Sequence, residues 1–304
     1  MRLALWLGNQ QPWPQLLARA QLAESLGFQR LYIADHLMGD GGDFGADTEP
    51  TWESTAALAM LAASTTRISL GHMVASVTFR PVGVFAKWAA TVAVASGGRL
   101  VVGLGAGWQV NEHSSLGLAL GTPGERVRRL EETCRALRAL WVGDVGTRTT
   151  MVGDFVQLID AVHEPKPRPA PPLLVGGKGP RLLRVVARHA DEWNTWSTPT
   201  SLPTRLATLE QACVAEGRNP ATVAKSTQAL LCLTDSAAEA ERFVEQWAPR
   251  PALAGTAEQL AAAIGAWAQL DVDEVVVPDW TLPTDPSAFA DTLASLHAAF
   301  TTPT

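Results

Sequence analysis

Short apolar runs alternate with longer segments of helical periodicity along almost the whole chain, and this alternation constrains the fold more than any other feature. The runs are apolar throughout rather than polar at every second position, which is typical of parallel strands covered on both faces. They predict strands at residues 3–7, 31–34, 68–74, 100–104, 173–175, 193–195, 228–233 and 274–277.

Helical patterns follow these runs. The clearest covers residues 125–141, where apolar residues recur at steps of three and four from Val127 to Trp141 with charged residues between them. Further helices are predicted at residues 16–26, 53–64, 82–95, 181–189, 205–216, 237–270 and 286–300.

Eight strands, each followed by a helical segment, favour a single closed (β/α)8 TIM barrel that occupies residues 1–304. The least regular stretch, residues 143–172, is rich in glycine and proline and is where a two-domain chain would divide. Because the alternation resumes at residue 173, we interpret residues 143–172 as an insertion on the barrel. Periodicity alone leaves the linker alternative open.

Composition argues against several classes of function. Hydrophobic residues make up 47% of the chain and charged residues 18%, so a large core is expected. The formal net charge is −6 and no run of lysines and arginines occurs, which argues against nucleic acid or an anionic membrane as a partner. Neither a secretory leader nor a run of about 18 apolar residues is evident, so we expect a cytoplasmic protein.

Metal and serine-nucleophile chemistry are also disfavoured. The three cysteines are far apart and form no C-x-x-C pair, and the six histidines form no H-x-x-x-H pair. No G-x-S-x-G nucleophile motif occurs. We therefore assign no metal ligand.

Barrel enzymes carry their sites at the carboxyl ends of the strands, so the residues just after each apolar run are the candidates. Asp35 and His36 follow the second strand, and they place a hydrogen-bond acceptor beside a side chain that titrates near neutrality. On the dipeptide alone, a loop cap with a packed histidine is the alternative interpretation.

Glycines follow the fourth strand. Gly103, Gly105 and Gly107 remove side chains where a flat ligand would approach the backbone, although a plain tight turn has the same signature. Farther along, Asn111 and Glu112 either bind a ligand or begin the next segment.

A second glycine-rich loop, residues 176–179, joins the fifth strand to a helix. Free backbone N–H groups and the helix dipole favour an anion at such a junction, and Lys178 and Arg181 add positive charge. The spacing is not that of a P-loop. The loop predicts phosphate binding, with a simple left-handed turn as the alternative.

Tryptophan is abundant, with eleven residues in the chain. A buried indole N–H needs a partner, so tryptophans gathered at strand ends indicate an aromatic-lined pocket, although each alone is more often core. Those at or after predicted strand ends are Trp6, Trp108, Trp193, Trp196 and Trp280.

Taken in order, several stretches resemble the luciferase-like monooxygenase superfamily, and in particular its branch that uses the deazaflavin coenzyme F420. The resemblance covers roughly residues 1–200, and residues 255–259 with 273–275 also fit it. The matching stretches are residues 23–28, 34–37, 65–71, 79–81, 96–100, 103–108 with 111–112, 173–177 and 190–194.

The resemblance implies that a deazaflavin lies across the mouth of the barrel. In relatives, the aspartate matching Asp35 contacts the ring system, and the histidine matching His36 is a proposed proton donor. A bulge with a non-proline cis peptide backs the ring, and Met73 and Val74 match it. The glycine loop at residues 176–178 would hold the phosphate.

These expectations define a candidate site. Its proposed catalytic residue is His36, and its substrate pocket is expected at Trp6, Trp108 and Asn194. The expected coenzyme contacts are Asp35, Met73, Val74, Gly105, Ala106, Asn111, Gly176, Gly177 and Lys178.

The sequence departs from the family's pattern at two positions. Sugar-phosphate dehydrogenases of the superfamily carry an acid where this chain has Trp108, which puts that substrate in doubt. The family's usual acid in the helix before residues 96–99 is Ala93 here, and the sequence offers no functional interpretation of that change.

The leading hypothesis is a coenzyme F420-dependent oxidoreductase that moves a hydride between the deazaflavin and a small, largely apolar organic substrate. An FMN-dependent monooxygenase of the same superfamily is the alternative, since a phosphate loop and a ring pocket serve both cofactors. A coenzyme carrier or sensor without turnover is a third hypothesis. Relatives are commonly dimers, and the sequence leaves open whether this chain forms a homodimer.

Overall fold

A computed structural model describes residues 1–42 and 44–301 of the chain. Eight parallel strands form a closed cycle in which each strand pairs with its neighbours and β8 pairs with β1. The strands are β1 (Arg2–Leu7), β2 (Arg30–Ile33), β3 (Ser69–His72), β4 (Leu100–Gly105), β5 (Leu173–Gly176), β6 (Glu192–Trp196), β7 (Ala224–Gln228) and β8 (Glu274–Pro278). The (β/α)8 barrel predicted from the sequence is confirmed.

Within the described residues, ten α-helices surround or cap the barrel. Thr122 begins the longest helix with a capping box in which its side chain and that of Glu125 bond each other's backbone N–H groups. The helices are α1 (Trp13–Leu26), α2 (Ser54–Ser64), α3 (Val82–Ala95), α4 (Val110–Ser115), α5 (Pro123–Trp141), α6 (Pro180–His189), α7 (Leu202–Ala215), α8 (Ala237–Trp247), α9 (Ala257–Ala268) and α10 (Pro286–Thr301). None of them, over the described residues, is long and apolar enough to cross a membrane.

The predicted position of the seventh strand, residues 228–233, is wrong. The barrel strand is β7, which ends at Gln228, where the predicted strand was to begin. The apolar run that follows it, Leu230–Leu233, pairs instead with Ala252–Gly255 in a separate two-stranded sheet. The apolar run was mistaken for the barrel strand because β7 itself is polar, with the sequence AKSTQ.

Residues 143–172 contain an antiparallel hairpin between α5 and β5. Its strands are Arg148–Val152 and Gln157–Val162, and they form a sheet of their own outside the barrel. The segment is thus an addition between two barrel elements, as the resumed alternation predicts.

Charged residues close the amino-terminal end of the barrel interior. Arg30 donates to both carboxylate oxygens of Glu192, and Tyr32 donates to Glu274 at 2.8 Å. Burial raises the pKa of Glu274, although Arg30 and Arg2 oppose the increase. A layer of apolar side chains lies above this cluster and includes Trp6 and Met73. Among the described residues, the barrel interior is therefore filled below the carboxyl ends of the strands.

Candidate active site

A cavity of about 520 Å³ opens at the carboxyl ends of the barrel strands, and we call it the main cavity. This is the end at which TIM barrels carry their sites. The residues that line it are Trp6, Asp35, His36, Phe44, Met73, Val74, Ser76, Gly105, Gly107, Trp108, Glu112, Gly176, Gly177, Lys178, Asn194, Thr195, Trp196, Arg205, Gln228, Pro249, Arg250 and Pro251.

The wall after β3 is a bulge that contains the predicted cis peptide between Met73 and Val74. Two glycines accommodate this bulge. A Cβ at Gly103 would lie 1.9 Å from the carbonyl oxygen of His72, and one at Gly105 would lie 2.4 Å from Val74 Cγ2. These two glycines of β4 therefore make room for the protein's own backbone and for the Val74 side chain, which the sequence interpretation did not foresee.

Asp35 is fully buried, and hydrogen bonds occupy its four acceptor positions. Arg80 donates to Oδ2 at 2.8 Å and to Oδ1 at 2.9 Å, Ser54 donates to Oδ1, and the Ser76 N–H donates to Oδ2 at 2.9 Å. Burial raises the pKa of this carboxyl, but the Arg80 hydrogen bonds, with other contributions, hold it below its usual value. Asp35 is an ionised anchor that ties the end of β2 to the bulge.

His72 lies beneath this anchor. Its Nε2 is 3.0 Å from Ser54 Oγ, and the side chain is inaccessible to solvent. Burial lowers the pKa of His72 to about 4, even though Asp35 opposes the change. The histidine is therefore neutral at physiological pH and leaves Arg80 as the cation that compensates Asp35.

His36 points its ring to a second buried carboxylate. Its Nδ1 lies 3.1 Å from Oε1 of Glu112, and the other oxygen of Glu112 accepts the Leu37 N–H at 2.9 Å. A carboxylate accepts but does not donate, so this contact fixes Nδ1 as the protonated nitrogen of the neutral ring. Nε2 is then the nitrogen with a lone pair, on a side chain that lines the main cavity.

The loop between β5 and α6 brings positive charge to the same cavity. Lys178 is exposed at its wall, and Gly177 and Gly179 adopt positive φ angles of 134° and 111°. The Gly177 carbonyl accepts from Trp193 Nε1 at 2.9 Å, which holds the loop against β6. Arg205, near the start of α7, also lines the cavity. Within the described ranges, no carboxylate forms an ion pair with Lys178 or Arg205.

Aromatic rings cover the opposite wall. The His36 ring packs edge-on against Trp108 and tilted against Phe44, each with ring centroids 5.5 Å apart. Trp6 contacts Trp196 at 5.7 Å and Trp280 at 4.9 Å. The aromatic-lined pocket predicted from the tryptophans is present, except that Trp193 is packed in the core.

A second cavity of about 240 Å³ adjoins the main cavity, and we call it the side chamber. Trp6, His36 and Phe44 line both. The other residues that line the side chamber are Gly8, Asn9, Gln10, Ala34, Met38, Gly45, Thr51, Trp247 and Trp280.

Most of the predicted site residues meet at the main cavity. The structure brings together Trp6, Asp35, His36, Met73, Val74, Gly105, Trp108, Gly176, Gly177, Lys178 and Asn194. Ala106 and Asn111 are not among the residues that line it. The Asn111 amide instead donates to the Gly39 carbonyl at 2.9 Å and holds the loop after β2.

Sequence reasoning missed Arg205 and Gln228 as cavity residues. Gln228 was assigned to the start of a strand rather than to its end, so its position at the cavity was lost. Arg205 is a basic residue in the first turn of a helix that follows a barrel strand, and that position was the available signal. Gln228 also fixes Asn194, whose amide donates to Gln228 Oε1 at 2.7 Å and to Ser226 Oγ at 2.9 Å.

Comparison with known proteins places this geometry in context. The family profile described as luciferase-like monooxygenase matches residues 1–274. An F420-dependent glucose-6-phosphate dehydrogenase of Microbacterium testaceum is 35% identical over 187 residues, which span 60% of this chain and 52% of that protein. The match thus spans about half the length of that relative.

Two further relatives extend the comparison over most of the chain. An F420-dependent hydroxymycolic acid dehydrogenase of Mycobacterium tuberculosis is 29% identical over 275 residues, which span 90% of this chain and 73% of that protein. The solved structure of an F420-dependent secondary alcohol dehydrogenase, in complex with an F420-acetone adduct, superposes with a TM-score of 0.84 at 18% identity and covers 98% of each chain. At that identity the superposition supports the fold alone.

Proposed function

The chain belongs to the luciferase-like monooxygenase family, and on that premise we propose that it is a coenzyme F420-dependent oxidoreductase. The proposed reaction transfers a hydride between the deazaflavin and a small organic alcohol or carbonyl compound. The observation that carries the proposal is the pair formed by His36 and Glu112 at the wall of the main cavity. Relatives named as F420-dependent dehydrogenases support it.

The residues of the main cavity fit a flat anionic coenzyme. Its volume of about 520 Å³ falls in the range typical of cofactor and ligand pockets. One wall lacks side chains at Gly105 and Gly176, where a Cβ would collide with Val74. Side chains at these positions would displace the bulge. The two glycines therefore leave this wall free of side chains, so that a flat ring can lie against it.

The charged residues of the main cavity also fit an anionic coenzyme. Although the chain carries a net charge of −6, the described residues that line the main cavity include three cations: Lys178, Arg205 and Arg250. They also include two carboxylates, of which Asp35 is compensated by Arg80, and Glu112 accepts from the Leu37 N–H and faces His36. An anionic ligand therefore meets a surface of opposite charge in an otherwise acidic protein.

We assign the coenzyme contacts accordingly. The ring would lie against Val74 and Gly105, and its phosphate would bind at Gly177 and Lys178 beside the amino terminus of α6. When bound, the deazaflavin supplies the carbon that gives or takes the hydride. Asp35 serves this site by holding the bulge and is not a ligand-binding acceptor, because its acceptor positions are occupied.

The chain's own chemistry is proton transfer. Glu112 holds Nδ1–H of His36, so Nε2 can accept the hydroxyl proton of an alcohol or, once protonated, donate a proton to a carbonyl oxygen. The rings of Trp108 and Phe44 pack on His36 and limit access of water to it. Binding, orientation and proton movement are thus assigned to separate groups.

Cofactor titration tests the proposal. Quenching of tryptophan fluorescence should give a dissociation constant for F420 at least tenfold below that for FMN, the alternative cofactor of the family. Lys178→Met should weaken F420 binding about tenfold, which is the lower end of what one charge-assisted hydrogen bond contributes. Lys225→Met is the matched control, because Lys225 is the second residue of β7 and lies at the opposite, amino-terminal end of the barrel. Tighter binding of FMN would overturn the proposal.

Turnover tests the proton-transfer step. We expect His36→Ala to lower kcat by about 10²- to 10⁴-fold, the usual contribution of a general acid or base, with the dissociation constant of F420 changed less than threefold. Glu112→Gln should lower kcat by about 10- to 100-fold, since an amide can accept at only one of the two positions where Glu112 accepts and carries no charge to stabilise a protonated His36. Unchanged kcat in His36→Ala would remove His36 from the mechanism.

A further inference from the structure

The side chamber differs from the main cavity in its charge. Among the described residues that line it, none carries a charged side chain other than the titratable His36. Three cations and two carboxylates line the main cavity by contrast. Burying a charge without a partner is strongly unfavourable, so the described wall of the side chamber selects against a charged ligand group.

Its described walls are mostly aromatic and apolar. Trp6, Trp280 and Phe44 form one continuous cluster, with ring centroids 4.9 Å apart between the two tryptophans and 6.3 Å apart between Phe44 and Trp280. Trp247 and Met38 add further apolar surface. Aromatic walls of this kind bind flat apolar groups by edge-on and offset contacts.

Geometry connects this chamber to the reacting group. His36 and Phe44 line both cavities, so a molecule whose oxygen meets His36 can extend its body into the side chamber. The volume of about 240 Å³ equals that of about eight water molecules at roughly 30 Å³ each. A substituted six-membered ring is of that size.

We propose that the side chamber is the substrate subsite and that it takes an uncharged alcohol or ketone with an aromatic or similarly flat ring. This inference rests on the proposed function for the reaction, although the binding it asserts is independent of turnover. It separates the two cavities by charge: the anionic coenzyme occupies the main cavity, and the neutral body of the substrate occupies the side chamber. A phosphorylated sugar does not fit the described wall.

Binding of isosteric probes tests the charge argument without turnover. The neutral ketone 4-nitroacetophenone and the anion 4-acetylbenzoate have the same shape and differ in charge. Calorimetric titration of the protein saturated with F420, which occupies the cations of the main cavity, should give at least tenfold tighter binding of the neutral ketone. Equal affinity, or a preference for the carboxylate, would overturn the proposal.

Substitution of Thr51 tests whether the ketone binds in the side chamber. Its hydroxyl makes hydrogen bonds of 3.3 and 3.4 Å only, to Glu49 and Gln10 among the described residues, so Thr51→Phe fills the side chamber with little loss of bonding. Affinity for 4-nitroacetophenone should fall at least tenfold. The matched control is Thr91→Phe on the exposed side of α3, for which no change is expected. Unchanged affinity in Thr51→Phe would place the ketone elsewhere and overturn the proposal.

A kinetic experiment distinguishes failure of the proposed subsite from failure of the proposed function. With F420, the ratio of kcat/KM for 1-phenylethanol to that for 2-propanol should fall at least tenfold in Thr51→Phe. If the ketone binds as expected but no alcohol reduces F420, the proposed function fails and the subsite stands. If alcohols reduce F420 and the ratio is unchanged, the subsite fails and the proposed function stands.

Discussion

Replacing Arg80 with methionine isolates the buried ion pair that anchors the bulge beside the main cavity. Arg80 donates hydrogen bonds of 2.8 and 2.9 Å to Asp35, and hydrogen bonds to charged groups contribute about 1.5–3 kcal/mol each. Their removal leaves an uncompensated carboxylate in a fully buried position, which typically costs about 3–5 kcal/mol. We expect Arg80→Met to lower the free energy of unfolding by about 3–5 kcal/mol, measured by urea denaturation at pH 7.

A double variant identifies the cause of that loss. Asn at position 35 keeps an acceptor for the Ser76 N–H but carries no charge, so Asp35→Asn combined with Arg80→Met leaves no buried ion. The double variant should recover about half of the loss or more. If the double variant loses as much as the sum of the single variants, Arg80 contributes packing and not charge compensation, and the reasoning is refuted.

The pH dependence of the same variant provides a second check. In the wild type the pKa of Asp35 lies below its usual value of about 3.8, so its contribution to stability is complete above that pH and is lost as the pH falls through the folded-state pKa. Without Arg80, burial raises the pKa, and protonation relieves the buried charge. The stability difference between wild type and Arg80→Met should therefore narrow from pH 7 to pH 5.

An exposed ion pair in the same chain supplies the control. Arg148 lies 2.6 Å from Asp160, but both side chains are more than half exposed. Arg148→Met should cost about 1 kcal/mol at most and show no narrowing with pH. If Arg148→Met destabilised the protein as much as Arg80→Met, burial of the ion pair would not explain the cost of removing Arg80.

Two further predictions follow from the same wall of the cavity. Burial lowers the pKa of His72 from 6.5 to about 4, so the folded protein keeps this histidine neutral. The free energy of unfolding is therefore highest above pH 6.5 and decreases as the pH falls below that value, because unfolding then lets the histidine take up a proton. Between pH 7 and pH 5 the wild type should lose about 2 kcal/mol more than His72→Gln in urea denaturation, and equal losses would contradict a buried neutral histidine. Gly105→Ala brings a Cβ to 2.4 Å from Val74 and should weaken F420 binding, whereas Val74→Ala in the same chain should restore it. Failure of that rescue in a fluorescence titration would show that Gly105 serves another purpose.

The sequence predicts the barrel because its signal repeats eight times, but it misplaces the strand whose residues are polar. Ser226, Thr227 and Gln228 are buried in β7, and hydrogen bonds to neighbouring strands satisfy their side chains. Hydrophobicity cannot reveal burial of this kind, since the polar partners come from β6. The apolar run at Leu230–Leu233 gave the stronger signal for a different sheet.

The candidate site also has parts that the sequence predicts and parts that it does not. Residues that directly follow apolar runs, such as His36 and Lys178, are predictable because parallel strands bring their carboxyl ends together. The side chamber is not predictable, because Thr51 and Trp247 come from a loop and a helix end that no periodicity relates. The glycines of β4 are an intermediate case: the sequence shows that side chains are missing there, but only the structure shows that Val74 takes up the space.

The dipeptide at residues 35 and 36 combines two different functions in consecutive residues. Asp35 turns into the wall, where Arg80 and the Ser76 N–H engage it, and its acceptor positions are filled. His36 lines the cavity, and Glu112 sets its protonated nitrogen. Because one peptide bond joins them, the position of the bulge and the position of His36 are fixed relative to each other. The segment that directly follows β2 therefore aligns the wall assigned to the coenzyme ring with the group to which we assign proton transfer.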